Sequence, residues 1–383
     1  MSLDVTILGA GNGGQAFAGV LASKGFNVAL WNRTYSVIKK IKKKGGIELT
    51  GTIEGFFEDI KVVKKLRKAI NGSNLIMVVI PANAHADLAE KCARHLEDGQ
   101  IIVLNPGRTG GVLEFQNTLQ HQEVDCRVTV AETQTLIYVS RALQPGSVEL
   151  RQIKRRCPVA AMPAYETPEV IQALQEIHEE FVPAENVLET SLNNIGAIFH
   201  PTPLILNAAR AECPDECYDH YLDGISPTVG AFLERLDAER VAIADHFQVK
   251  TQLARDWLCD VYGGSPAPTL YEGFRAIETY DGIRAPATLK HRYIFEDVPT
   301  GLVPLSSFGR IVGVPTPVID SIVNLISAFF SIDFWLEGRT ASQLGIADMT
   351  AEAISNYVET GIKQPVEEFL GYEPLLEEWS HFE

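Results

Sequence analysis

The chain has 383 residues, of which 46% are hydrophobic and 21% are charged, values typical of a folded globular protein rather than a disordered or fibrous one. Its length predicts two or three domains. The formal net charge of −16 excludes a general binder of phosphate backbones, which needs a broad positive surface, so we expect no nucleic acid partner.

Two stretches bear on the compartment. The amino terminus enters a predicted strand within a few residues, which leaves no room for a signal segment, and we expect a cytoplasmic protein. The apolar stretch SIVNLISAFFSI, residues 321–332, lies between Asp320 and Asp333 and is too short to span a membrane. We interpret it as a buried helix and expect no membrane partner.

The six cysteines are scattered without paired CxxC spacing. Zinc sites built from cysteine use such pairs or a matching histidine spacing. We therefore expect ordinary thiols and no metal.

Strands and helices alternate from residue 4 to about residue 160. Helices are predicted over residues 15–24, around the basic run KKIKKK, and over 84–96 and 168–181. The predicted strands are DVTILGA, NVALWN, NLIMVVIPA, GQIIVLNPG, CRVTVAET and CPVAAMP. Such alternation predicts an α/β Rossmann domain, a doubly wound parallel sheet with helices on both faces.

The strand pattern fades near residue 185, and helical patterns follow. In SPTVGAFLERLDAERVAIADHF, Ser226 can cap a helix with Pro227 at its first position, and apolar residues then recur at helical spacing. We therefore predict a Rossmann domain over residues 1–185 and an all-α domain over residues 186–383.

The segment GAGNGG follows the first strand and opens the first helix. Gly9, Gly11 and Gly14 form the G-x-G-x-x-G pattern, in which glycines permit a tight turn, a close approach to a pyrophosphate and helix packing. A tight turn with nothing bound is the alternative. The predicted cofactor contacts are the six residues Gly9, Ala10, Gly11, Asn12, Gly13 and Gly14.

At the end of the second strand, an acid would bind the ribose hydroxyl of NAD. Asn32, Arg33 and Thr34 stand there instead. An arginine fork and a hydroxyl suit an added phosphate, so we predict a preference for NADP(H), with NAD(H) also accepted. Alternatively, Arg33 is an ordinary surface arginine.

Ligands of such sheets collect at the carboxyl ends of the strands. Two pairs of residues that follow predicted strands are candidate cofactor contacts: Pro81 with Ala82, and Asn105 with Gly107. Alternatively, these residues only form the turns that end the strands. Glu132 and Thr133 end another strand and are candidate contacts to an amino substrate, or else turn residues.

Six segments, read in order, resemble the opine dehydrogenase family, the octopine and nopaline group that includes a bacterial carboxyethyl-norvaline dehydrogenase. The segments are LNPGRTGGVLEF, SLNNIGAIFHP, ILNAARAE, YLDGISPTVG, DAERVAIA and RYIFEDVPTGLVPLSSFGR. The resemblance implies a Rossmann domain joined to a helical domain with the active site between them. It also implies reductive condensation of a 2-oxo acid, such as pyruvate, with the amino group of an L-amino acid.

The resemblance also implies roles for three residues. His200 in IFHP matches the catalytic histidine, Asp297 in RYIFED matches its aspartate partner, and Arg292 matches the arginine for the substrate carboxylate. By their surroundings alone, they could be a core histidine, a turn residue and a surface charge. The NADH-using relative has an aspartate where this chain has Asn32, so the implied NADH preference does not transfer.

Two other functions stay open on the sequence. One is a simple NADPH-dependent reductase of 2-oxo acids or ketones, of the glycerol-phosphate or ketopantoate type, although no matching catalytic lysine motif stands out. The other is a non-catalytic NADP-binding sensor. A homodimer is the assembly that base rates favour.

Overall fold

The computed structural model of the chain describes residues 4–213, 215–263 and 265–363. Within them, all strands precede residue 184. The strands are β1 Asp4–Leu8, β2 Asn27–Trp31, β3 Ile47–Gly51, β4 Gly55–Phe57, β5 Ile60–Val63, β6 Leu75–Val78, β7 Ile101–Leu104, β8 Thr129–Thr133, β9 Tyr138–Gln144, β10 Ser147–Ile153, β11 Cys157–Met162 and β12 Phe181–Pro183.

Eight of these strands form the central sheet, in the order β12-β11-β8-β7-β6-β1-β2-β5. The run from β8 to β5 is parallel, with Leu8 paired to Trp31 on one side and to Val78 on the other. The strand β6, LIMV, is buried throughout, as expected for a strand covered on both faces. The predicted doubly wound α/β fold is therefore confirmed.

Two details of the sheet differ from the prediction. Strand β11 runs antiparallel to β8, so the sheet is mixed at that end. A second sheet, in the order β4-β3-β10-β9, was missed. Its hairpin β9–β10 turns at Gly146, whose φ is +83°, and β10 pairs in parallel with β3.

Six helices accompany these sheets. They are α1 Asn12–Ser23, α2 Tyr35–Lys44, α3 Leu66–Ile70, α4 His85–Ala93, α5 Gly111–His121 and α6 Thr167–Gln175. The helix predicted over residues 168–181 ends early, because the chain turns after Gln175 and Phe181 pairs with Cys157 as strand β12.

The described part of the second half consists of helices joined by loops and contains no strand. Its helices are α7 Val187–Leu192, α8 Gly196–Phe199, α9 Pro201–Leu206, α10 Ala208–Ala211, α11 Pro227–His246, α12 Ala254–Tyr262, α13 Leu270–Arg275, α14 Arg292–Phe295, α15 Val303–Val312, α16 Pro317–Phe330, α17 Phe334–Glu337 and α18 Ala351–Thr360. A π-helical turn, residues 298–302, joins α14 to α15. The described residues include no helix long and apolar enough to cross a bilayer.

The helix α16 contains most of the apolar stretch at residues 321–332, and it is only half buried. Ile322 and Ile326 pack inward, whereas Leu325 and Phe329 are exposed. The prediction of a buried helix was therefore right about the helix and wrong about its burial, since only one face packs on α11 and α15.

The two halves share one hydrophobic core, which runs from Leu8 in the central sheet to Val358 in α18. The last strand ends at Pro183 and α7 begins at Val187. We place the division at residue 185 as a proposal. The predicted helical domain extends to residue 383, and its last 20 residues, 364–383, lie outside the described part.

Candidate active site

The glycine turn between β1 and α1 is shaped by close backbone contacts. Gly9 has a φ of +122°, and a Cβ there would lie 2.1 Å from the carbonyl oxygen of Val79. A Cβ on Gly14 would lie 2.0 Å from the carbonyl oxygen of Gly9. Only glycine fits at these two positions, which set the turn and the packing of α1.

Gly11, in contrast, faces open space, because no heavy atom lies within 4 Å of the Cβ position built there. It is also the N-cap of α1 and has no side chain to satisfy the first N–H groups of that helix. Free N–H groups at a helix amino end, beside an open backbone, fit the pyrophosphate of a dinucleotide.

The rest of the turn is held by side-chain contacts. The Ala10 N–H donates to Asn32 Oδ1 at 3.0 Å, and the Ala142 N–H donates to Asn12 Oδ1 at 3.0 Å. Gly13 and Asn12 line the cleft described below. Asn32 therefore connects the end of β2 to the glycine turn.

Beyond Asn32, the end of β2 presents positive charge to solvent. Arg33 and Thr34 are exposed, and the Arg33 side chain makes no hydrogen bond or ion pair within the described residues. The Lys64 ammonium lies 5.4 Å from the ring centroid of Tyr35. An unengaged guanidinium at this position fits a phosphate on the ribose.

A cleft of about 460 Å³ opens between the carboxyl edge of the central sheet and the helical half. From the first half it is lined by Gly11, Val79, Pro81, Asn105, Arg108 and Lys154, among others. From the helical half it is lined by Asn194, Phe199, His200, Trp257, Arg292 and Glu296, among others. Predicted site residues that are far apart in the sequence therefore line the same cleft.

His200 and Asp297 form a hydrogen-bonded pair in this cleft. Nδ1 of His200 lies 2.9 Å from Oδ2 of Asp297, which is fully buried, whereas the His200 side chain is 16% exposed. The imidazole stacks on the Tyr293 ring, with centroids 4.2 Å apart and planes 8° apart. The pair and the ring fix the imidazole, and Nε2 is left for a ligand.

Arg108 and Glu296 extend the pair into a network that the sequence did not reveal. NH1 of Arg108 lies 3.1 Å from Oδ1 of Asp297, and its Nε lies 3.5 Å from Oε1 of Glu296. Glu296 Oε2 in turn lies 3.2 Å from Nε of Arg292. Arg108 has a φ of +63°, a left-handed conformation that turns its side chain to the buried acids.

The surroundings set the charge states of the pair. Burial lowers the pKa of His200, and Asp297 opposes that shift only in part. Burial alone would raise the pKa of Asp297, but Arg108 and His200 outweigh it and lower the pKa. At neutral pH the pair is therefore a neutral imidazole beside a carboxylate.

A second histidine near Tyr293, His220, is not placed to act as a base for a ligand in the cleft. His220 is fully buried, and its Nε2 lies 3.1 Å from the Phe199 carbonyl oxygen. Burial lowers its pKa to about 3, so it stays neutral over the working pH range. It does not line the cleft, which leaves His200 as the base that a ligand can reach.

Four predicted contacts at the strand ends are buried beneath the cleft instead of lining it. Glu132 is fully buried and accepts hydrogen bonds from the hydroxyls of Thr190 and Ser191 and from the Val112 N–H. Burial raises its pKa to about 7. The structure gives Glu132 a role in joining the halves, so the prediction of a substrate contact is corrected.

Thr133 and Gly107 need the same correction. Thr133 is 1% exposed and lies against the Leu104 carbonyl, and a Cβ on Gly107 would lie 2.0 Å from Oε2 of Glu132. Gly107 thus makes room for a buried carboxylate rather than for a cofactor. Ala82 is also buried; its N–H donates to Glu296 Oε1 at 3.2 Å. Pro81 and Asn105 do line the cleft.

Within the described residues, no three histidines, cysteines or acids are grouped closely enough to hold a metal ion. No disulfide bond joins any of the six cysteines within the described residues.

Comparisons with known proteins agree with this arrangement. A family model described as NAD/NADP octopine/nopaline dehydrogenase, alpha-helical domain, matches residues 183–330. A second model, described as NAD-dependent glycerol-3-phosphate dehydrogenase N-terminus, matches residues 4–137.

Solved structures with the same fold include octopine dehydrogenase with NADH and L-arginine, which is 21% identical with a TM-score of 0.76 and covers 95% of this chain and 99% of its own. Yersinopine dehydrogenase with NADP+ bound is 17% identical, with a TM-score of 0.71 over 94% of this chain and 98% of its own.

Among curated relatives, the Ocs protein of Agrobacterium tumefaciens (strain Ach5) is 25% identical over 91% of this chain and 97% of its own. The opine dehydrogenase of Arthrobacter sp. (strain 1C) is 41% identical over 354 residues, which cover 92% of this chain and 98% of that relative. With 41% identity over 92% of its length, the chain belongs to the opine dehydrogenase family.

Proposed function

We propose that this protein is an NAD(P)H-dependent opine dehydrogenase, which condenses a 2-oxo acid such as pyruvate with the amino group of an L-amino acid and reduces the product to a secondary amine. The observation that carries the proposal is the His200–Asp297 pair at 2.9 Å, in a cleft that also contains the glycine turn and Arg292. The membership of the family supports the same reaction.

Arg292 is suited to bind the carboxylate of the 2-oxo acid. Its side chain is 52% exposed at the cleft, and within the described residues it forms one ion pair, from Nε to Glu296. The terminal nitrogens of the guanidinium are thus free for two parallel hydrogen bonds to a carboxylate. The ion pair of Glu296 with Nε orients the guanidinium of Arg292.

His200 is suited to manage the protons of the condensation. The amino substrate arrives as an ammonium and must lose a proton before its nitrogen attacks the carbonyl, and the adduct must then lose water. The lowered pKa keeps His200 neutral and able to accept at Nε2, while Nδ1–H donates to Asp297. The carboxylate then stabilises the imidazolium until the proton is returned.

Arg108 acts on this chemistry through Asp297. Because it lies 3.1 Å from that carboxylate, it keeps Asp297 ionised in a fully buried position. Asn194, whose Oδ1 lies 3.5 Å from NH1 of Arg108, and Glu296 hold the guanidinium in turn. Arg108 is therefore a positioning residue for the pair.

The residues of the glycine turn fit a dinucleotide, which when bound supplies the hydride. Gly11 to Gly13 would hold its pyrophosphate, and Pro81 and Asn105 would border the end that enters the cleft. We propose NADP(H) as the preferred form, because Arg33 is unengaged and exposed at the end of β2 and no acid repels an added phosphate there.

The two other functions have less support. A simple reductase needs no second substrate, and the glycerol-phosphate likeness covers only residues 4–137. A sensor that only binds NADP has no use for a buried, charged pair, which is costly to hold in a protein interior. The matched helical half and the His200–Asp297 pair favour the opine reaction.

Loss of reduced cofactor tests this proposal directly. Purified protein is given NADPH with pyruvate alone, with pyruvate plus each amino acid in turn, or with amino acids alone. We expect turnover only when both substrates are present, with a secondary-amine dicarboxylate as the product by mass spectrometry. Equal turnover with pyruvate alone would indicate a simple reductase, and binding of NADPH without turnover would indicate a sensor.

The assembly and the compartment belong to the proposal as well. We propose a homodimer, to be tested by light scattering of the purified protein. We propose a reducing, cytoplasmic compartment, which is supported by six cysteines that form no disulfide bond in the described part of the chain.

A further inference from the structure

One buried lysine in the cleft has no acid partner. Lys154 follows strand β10 and is 6% exposed. Its ammonium donates a hydrogen bond to Oγ1 of Thr135 and lies 5.5 Å and 5.6 Å from the ring centroids of Trp257 and Tyr262. All four side chains line the cleft.

Other deeply buried cations of the described chain are each paired with a carboxylate. Arg240 lies 2.7 Å from Asp237, Arg339 lies 2.8 Å from Glu114, and Arg108 is paired as described above. No ion pair joins Lys154 to any acid of the described residues. Since a buried cation without an anion is strongly disfavoured, a ligand is the natural source of the missing charge.

The proposed product carries two carboxylates, one from each substrate. The terminal nitrogens of Arg292 are available to bind one of them, whereas Arg108 is engaged by Asp297 and Glu296. Lys154 is the remaining cationic side chain that lines the cleft. The ammonium of Lys154 therefore matches the second carboxylate, which comes from the amino acid.

The aromatic rings beside Lys154 indicate which side chain of the amino-acid substrate the cleft can accept. Trp257 and Tyr262 have centroids 5.8 Å apart, Tyr262 and Tyr280 have centroids 5.2 Å apart, and all three rings line the cleft. The one carboxylate among the residues that line it, Glu296, is bound by Arg108 and Arg292. An uncharged, apolar side chain fits this wall, and a cationic one finds no free acid.

We infer that Lys154 binds the carboxylate of the amino-acid substrate and that the aromatic wall of Trp257, Tyr262 and Tyr280 receives its uncharged side chain. The inference rests on the proposed function, because it assigns a subsite of the same reaction. It makes Lys154 a specificity-determining residue that separates amino acids from simple amines.

Matched substrates with and without the carboxylate test the inference. The pairs are L-leucine with 3-methylbutylamine, L-methionine with 3-(methylthio)propylamine, and L-phenylalanine with 2-phenylethylamine, each with pyruvate and NADPH. Lys154→Met removes the charge, Lys154→Gln also keeps a donor for Thr135, and Lys61→Met changes an exposed lysine away from the cleft as the control. Thermal melts check that each variant is folded.

Both Lys154 variants should lower kcat/KM for the amino acids by about tenfold to a hundredfold, the effect of losing a hydrogen bond to a charged group. The values for the amines, the KM of pyruvate and the Kd of NADPH should change by less than about threefold, because those ligands do not use the lysine. An equal loss for acids and amines, or weaker NADPH binding of the same size, would overturn the inference.

Calorimetric titration of L-leucine, L-methionine and L-phenylalanine into the NADPH-saturated protein separates this inference from the proposed function. If the wild type binds an amino acid without turning it over, the proposed function fails, and tenfold weaker binding by Lys154→Met would still support the subsite. If that variant binds as tightly as the wild type, the subsite fails while turnover can persist. Absence of both binding and turnover overturns the two together.

Discussion

Replacing Asp297 with asparagine tests the proposed acid and base chemistry most directly. The variant keeps the shape of the side chain, and its Oδ1 can still accept the hydrogen bond from Nδ1 of His200. What it removes is the negative charge 2.9 Å from the imidazole and 3.1 Å from Arg108. The substitution therefore affects charge more than geometry.

The size of the effect follows from that geometry. Unit charges whose centres are about 4 Å apart interact by about 4 kcal/mol at an effective dielectric constant of about 20. Loss of this interaction raises the energy of the imidazolium, so Asp297→Asn should lower kcat/KM by about a thousandfold. Since Asp297 raises the pKa of His200, that pKa should fall further in the variant.

The assay follows nicotinamide absorbance in both directions, with pyruvate plus an amino acid and with the opine plus oxidised cofactor. In the oxidative direction His200 must be neutral, so the acid limb of kcat/KM should move to lower pH in Asp297→Asn. Asp245→Asn, which changes an exposed carboxylate on α11, is the matched control. A loss smaller than about tenfold, with the acid limb unmoved, would refute the role of the pair.

Three further outcomes follow from the structure. Arg33→Ala should weaken NADPH at least about tenfold more than NADH, by isothermal titration, since the ribose phosphate loses a charged partner; equal losses would contradict the NADP(H) preference. Gly11→Ala should have the melting temperature of the wild type but bind the cofactor weakly, because its Cβ enters only open space. Gly9→Ala should lower the free energy of unfolding by at least about 1–3 kcal/mol, because its Cβ would clash with the carbonyl oxygen of Val79. Similar melting temperatures for the two variants would contradict this account of the turn. Burial lowers the pKa of His178 to about 4, below its unfolded value, so its stabilising effect is present above about pH 6.5 and lost as pH falls. The stability difference between the wild type and His178→Gln should therefore shrink by about 2 kcal/mol from pH 7 to pH 5 in denaturant titrations, and a constant difference would rule this out.

The parts of the fold set by local pattern could be predicted from the sequence. Apolar strands between helices predicted the parallel sheet, and the glycine spacing predicted the turn at Gly9 to Gly14, because backbone sterics act over a few residues. The antiparallel β11 and the second sheet were missed, since pairing between distant strands leaves no local signal.

The site shows a similar division. His200, Asp297 and Arg292 were found through a family resemblance, and the structure brings all three to one network. Arg108 stands in the quoted segment LNPGRTGG, but nothing in the pattern distinguishes an inward arginine from a solvated one. Glu132 was predicted to contact a substrate but is buried. Its position at the end of a strand predicts that it lies at the edge of the sheet, but it does not predict the direction of its side chain.

Arg339 has a mechanical consequence for the access of substrates. Though part of the helical half, it donates to the carbonyl oxygens of Gly107, Thr109 and Ala82, in the loops after β7 and β6. It is 1% exposed, so separating these loops from it would deprive the terminal nitrogens of a buried guanidinium of three carbonyl acceptors, while the ion pair of Nε with Glu114 would remain. These contacts therefore oppose separation of the two halves at this corner, and we expect any widening of the cleft to occur away from it.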